Sequence, residues 1–165
     1  MKTKSLNILI VAFCLLGIIA IMLIAFLEQA HEDFPNNITV SSEGTTETVL
    51  EVRDLQLTPT EKKEYAVNLV CDASGDYDIS LDYQETRDGG MKPFVNVMVK
   101  CADTVVYEGK LSDLLDGSAV VEFAGTLEAK DPLVVTISYE MPYEIGNEAQ
   151  GTSADFDVVL KIEKI

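Results

Sequence analysis

The chain has 165 residues, 47% of them hydrophobic, and carries 28 acidic side chains against 12 basic ones, for a formal net charge of −16. That length holds one folding domain and little more. A surface this negative repels phosphate backbones and anionic headgroups, which excludes nucleic-acid binding and peripheral membrane docking through the domain.

From Leu6 to Leu27 every residue except Asn7 and Gly17 is apolar. A helix over that run, rising about 1.5 Å per residue, spans roughly 33 Å and matches bilayer hydrocarbon, whereas the apolar region of a cleavable signal is usually about 7 to 15 residues long. Lys2 and Lys4 precede the run, and Glu28, Glu32 and Asp33 follow it. The positive-inside rule then leaves residues 1–5 in the cytoplasm and exports the C-terminal domain. The expectation is one N-terminal transmembrane helix over residues 6–27, anchoring a single-pass protein in the cell membrane. The competing reading is a leader cut near Ala25 or Ala30, which would secrete the domain; Leu23 and Glu28 then fall where small residues are preferred. Cys14 reads as a small apolar filler within the run.

Residues 28–47 are polar, with Pro35, Asn36, Asn37 and Gly44 in a Ser/Thr/Glu background broken by Ile38 and Val40. They read as a stalk holding at most one short strand, with the folded domain over residues 48–165. Beyond the stalk, period-two alternation dominates. Tyr65, Val67, Leu69 and Cys71 share one face, and Tyr77, Ile79, Leu81 and Tyr83 another, against Asp78, Ser80, Asp82 and Gln84. The same alternation recurs over Phe94 to Cys101, Leu133 to Met141 and Phe156 to Glu163, with further strands expected at Thr48 to Leu55, Thr104 to Tyr107 and Ala119 to Phe123. Turn signals such as Ser74-Gly75-Asp76, Asp88-Gly89-Gly90 and Asp131-Pro132 separate them. Seven to nine short strands of this kind predict an all-β, antiparallel two-sheet sandwich. Only Lys110 to Leu115 reads as helical, a single turn whose leucines could cap an open end.

The chain has one histidine, His31, placed in the stalk. No His-based catalytic couple or metalloprotease helix motif can be assembled around it, so no catalytic residue is assigned and the protein is read as no enzyme, with no cofactor implied. The best metal candidate is the acidic turn with Asp72, Asp76 and Asp78, whose oxygens could approach a hard cation such as calcium, although EF-hand spacing is missing. The bland reading of these carboxylates is a charged outer face that guards a sheet against aggregation. Cys71 and Cys101 fall on the exported side with inward parity, so a disulfide between them is chemically permitted. Tyr83, Tyr107 and Tyr143 near strand ends are candidate ligand contacts.

Several patterns occur together: the apolar export segment, the turn proline in Leu57-Thr58-Pro59, the run from Val106 to Leu115, and Tyr139-Glu140-Met141-Pro142 followed by Ile145 to Gly151 and a closing strand. Together they resemble the TasA/camelysin family of exported bacterial surface and biofilm-matrix proteins, over about two thirds of the chain from Leu57 onward. The resemblance implies a jelly-roll-like sandwich, a bacterial extracellular location at the cell surface, and assembly in which an N-terminal extension of one subunit completes a sheet of the next. The donor would lie between Phe34 and Val52, with Ile38 and Val40, or Val49 and Val52, as pocket fillers. The alternative is a solvated linker followed by an ordinary first strand. Members usually follow the turn proline with glycine, where this chain has Thr60. Camelysins are associated with metalloprotease activity, but no zinc-ligand set is recognisable here and that activity is not carried over.

The expected function is that of a noncatalytic, membrane-anchored surface protein whose acidic sandwich acts by forming a homo-oligomer or by contact with envelope or matrix partners. The alternative is a ligand- or calcium-binding sandwich module.

Overall fold

The computed structural model describes residues 37–165. The expected tail, the apolar run over residues 6–27 and the first part of the stalk lie outside the described residues. Among the described residues no helix is long and apolar enough to cross a membrane.

Among the described residues nine strands run in order: β1 (Asn37–Val40), β2 (Thr45–Leu55), β3 (Lys62–Cys71), β4 (Gly75–Gly89), β5 (Asn96–Cys101), β6 (Thr104–Lys110), β7 (Val121–Leu127), β8 (Leu133–Glu140) and β9 (Ser153–Lys164). A short helix, α1 (Leu111–Leu115), follows β6, and 3-10 turns cover Lys92–Phe94 and Asn147–Ala149. The strands form where apolar and polar residues alternate, since successive side chains leave a strand on opposite sides. In β9, Ala154, Phe156, Val158, Leu160 and Ile162 are buried, with Asp155, Asp157, Lys161 and Glu163 on the other side.

The strands build a five-stranded sheet ordered β1-β3-β8-β5-β6 and a four-stranded sheet ordered β2-β9-β4-β7. All pairings between neighbouring strands are antiparallel except β1 with β3, which is parallel. The two inner faces enclose one core that includes Leu50, Leu69, Ile79, Val97, Ile137 and Phe156. Full burial of such side chains stabilises by about 1.5–3 kcal/mol each before chain entropy is subtracted. At its centre the Phe156 ring packs on Tyr139 and Tyr83, with centroids 5.4 and 5.9 Å apart. The Tyr83 and Tyr139 hydroxyls are both buried and interact with each other. Burial raises both phenols well above the ordinary tyrosine range.

Helix α1 buries Leu111 and Leu114. It stops at Gly117, whose φ of 71° turns the chain left-handed while its N–H donates to the Leu114 carbonyl.

Two expectations are corrected here. The sandwich begins at Asn37 and not at residue 48: the one short strand allowed in the stalk is a core element, with Ile38 and Val40 5% and 1% exposed. Cys71 and Cys101 are free thiols. The registers place Leu69 opposite Leu133 and Cys101 opposite Val135, so β8 runs between the two cysteines and they are staggered along it. Ordinary strand spacing then separates their Cα atoms by roughly 16 Å, where a disulfide needs about 4.4–6.8 Å. Parity put both on the inner face correctly; pairing needed strand order as well.

Candidate functional site

Three places in the sandwich bear on function: the edge held by β1, a groove at one end, and the acidic turn before β4.

Strand β1 lies parallel to β3, with Asn37 opposite Asn68 and Val40 opposite Cys71. Its alternation sends Ile38 and Val40 inward and leaves Asn37 and Thr39 exposed, with Asn68 Nδ2 donating to Asn37 Oδ1 at 3.0 Å. A polar hinge, Ser41 to Gly44, then carries the chain over to β2 in the other sheet, and Gly44 takes a φ of 78°. The four candidate donor residues thus separate by parity. Ile38, Val40 and Val52 fill the core of their own chain, whereas Val49 points outward and is 48% exposed. Lys62 to Val67, the first part of β3, extends past β1 without a described strand on that side.

At one end of the sandwich the loop between β2 and β3 meets the loop between β8 and β9. They enclose a groove of about 510 Å³ whose lining includes Leu57, Pro59, Met141, Ala149, Gln150 and Thr152. Met141 and Ala149 are buried, and the rim is polar. The Thr58 N–H and hydroxyl both donate to Glu61 Oε2, at 2.8 and 2.9 Å. Those bonds to the charged form hold the Glu61 carboxyl below its usual range. Between them sits Thr60 with φ at 74°, its N–H donating to the Met141 carbonyl at 2.9 Å, while the Met141 N–H donates to the Glu61 carbonyl at 3.1 Å. The turn is thereby stitched to the end of β8. Behind it, both neighbours of β9 bulge around Asp155. Asp155 accepts the Asp54 N–H at 2.8 Å and pairs with Arg87 Nε at 2.9 Å, while Arg53 reaches Asp157 at 2.6 Å.

The acidic turn does not form the calcium site. Among the described residues no group of three or more metal-capable side chains converges. Asp76 and Asp78 point out of β4 one pleat apart, opposite Thr126 and Ala124 of β7, and Asp76 Oδ1 accepts the Thr126 hydroxyl at 2.7 Å. Asp72 belongs to the bend after β3 and faces solvent. An extended strand spreads its carboxylates along a line, whereas a cation needs them folded around a point. The aromatic candidates separate too: Tyr83 is buried, Tyr107 is half-buried, and Tyr143 is 80% exposed. Sequence reasoning missed the groove because its floor comes from Leu57 and Met141, far apart in the chain; the nearest signal was the turn proline Pro59.

No family model matches the chain, and no curated protein matches it. Among solved structures it is similar to PliG of Aeromonas hydrophila, a periplasmic inhibitor of g-type lysozyme. The identity is 12%, covering 78% of this chain and 98% of that one, with a TM-score of 0.37. An overlap this low carries no argument about function. The class defined by the chain's own strands is an all-β two-sheet sandwich.

Proposed function

We propose that this chain is a noncatalytic surface protein displayed outside the cell, held by the apolar run over residues 6–27, whose acidic sandwich works by association with copies of itself or with envelope and matrix partners. The reading rests on the export segment, on the resemblance to the TasA/camelysin family, and above all on β1. A four-residue parallel edge strand after the polar residues 28–36 and before a glycine-bearing hinge is a detachable element. Its two apolar side chains fill pockets that the same strand of another copy would fill equally well. Passage of the strands back and forth between the sheets supports the jelly-roll-like form of this reading. The test is to purify the full chain in a neutral detergent and follow its molar mass with concentration by light scattering. The expected result is reversible growth beyond one chain per micelle. A single-chain species at every concentration, which also fails to pull known matrix components from solution, would sink the reading.

A second reading, a ligand-binding sandwich, is favoured by the groove beside Pro59 and Met141. Its apolar floor and polar rim suit a small neutral ligand. Calorimetric titration with a panel of neutral glycans decides it, and silence across the panel removes it.

A further inference from the structure

The two outer faces of the sandwich differ sharply in charge. On the four-stranded sheet the outward rows bring Glu47, Glu51, Asp78, Asp82, Asp157 and Glu163 together around Lys161 and Arg53. On the five-stranded sheet the registers read across as Lys62, Glu140, Asn96 and Lys110; then Glu64, Ser138, Met98 and Glu108; then Ala66, Thr136, Lys100 and Val105. The lysines there equal the glutamates in number, so that face is electrically neutral in a chain of net charge −16. Toward its other end Val70, Val134 and Asn68 add no charge, and Val105 at the β6 edge is 46% exposed.

We propose that the outer face of the five-stranded sheet is a surface through which two copies of this chain pair; the proposal rests on the self-association reading above and adds a contact distinct from the exchange of β1. Two bodies this negative repel each other along most approaches, and the repulsion is least where both present a neutral face. Its lysines and glutamates balance, and Lys62 already pairs with Glu64 of its own chain at 2.8 Å, so a second copy of the same face meets little net charge, whereas the other face would meet mostly its own sign. The four strands β3, β8, β5 and β6, about 4.8 Å apart, and a β8 of about 27 Å give roughly 500 Å² per copy, or about 1,000 Å² for the pair, the size of a weak, transient contact. A pairing of this size is reversible, and it leaves β1 and the groove outside the contact.

The experiment places a charge at the middle of the face. Ala66 is exposed and points outward from β3, so Ala66→Glu leaves the core untouched; Thr136→Glu beside it on β8 is the second variant. Ala124→Glu, on the outer face of the four-stranded sheet, is the control. Full-length chains in neutral detergent are compared by sedimentation velocity across a concentration series, with circular dichroism to confirm that each is folded. Expected is at least a tenfold weaker dimer for Ala66→Glu and Thr136→Glu, and no change for Ala124→Glu. Association of wild-type strength in folded Ala66→Glu overturns the inference and leaves the self-association reading standing, as does equal weakening by the control. A wild-type chain that stays single at every concentration overturns both.

Discussion

Thr60 is a β-branched residue held at a φ of 74°, a left-handed conformation in which its side chain crowds the backbone. The surrounding bonds, from Thr58 to Glu61 and from Thr60 to Met141, keep it there. Such strain costs on the order of 1–3 kcal/mol, and glycine would relieve it while adding some freedom to the unfolded chain. Thr60→Gly is therefore expected to raise stability by about 1 kcal/mol, read as a higher urea midpoint at unchanged slope; a lower midpoint would show that the threonine methyl is packed and not strained. Glu61 next to it contributes stability that is present at neutral pH and lost as the pH falls through its lowered folded-state value, since its two bonds from Thr58 need the ionised form.

At the scale of elements, β1 differs from every other strand. It is four residues long, its pairing is parallel, and among the described residues it pairs only with β3, while Ile38 and Val40 are buried in the core. Val40→Asp places an unpaired carboxylate where a side chain is 1% exposed, and forfeits about 1.5–3 kcal/mol of burial. The expected outcome is detachment of β1 alone. Amide exchange at Asn68 to Cys71 of β3 should rise toward that of an open edge, while the β4 and β9 amides stay protected. Uniform loss of protection would show instead that β1 is integral to the cooperative core. The short helix α1 behaves oppositely, because Leu111 and Leu114 close the end of the core between strands that are already paired.

For the whole molecule, the net charge of −16 governs how copies approach. Screening shortens the reach of that repulsion from about 10 Å at 0.1 M salt to about 3 Å at 1 M. Association through a neutral face should therefore strengthen several-fold as salt rises over that range, measured as a falling dimer dissociation constant. A contact built on exposed ion pairs would weaken instead. The direction of the salt effect thus reports what kind of surface is in contact, independently of any substitution.

Alternation with a period of two, visible in Tyr77 to Gln84 and Phe156 to Glu163, was enough to place most strands and say which of their side chains face inward, because a pleated backbone leaves no other choice. The leucines after Lys110 likewise announced α1. Sequence could not say which strands are neighbours. That depends on packing between segments far apart in the chain, and it separates Cys71 from Cys101 and draws Ile38 and Val40 into the core. The groove between Leu57 and Met141 and the neutral outer face across β3, β8, β5 and β6 exist only once those strands lie side by side. Local pattern fixes the direction of a side chain, whereas its companions are fixed by the sheet order that buries the most apolar surface with every strand paired.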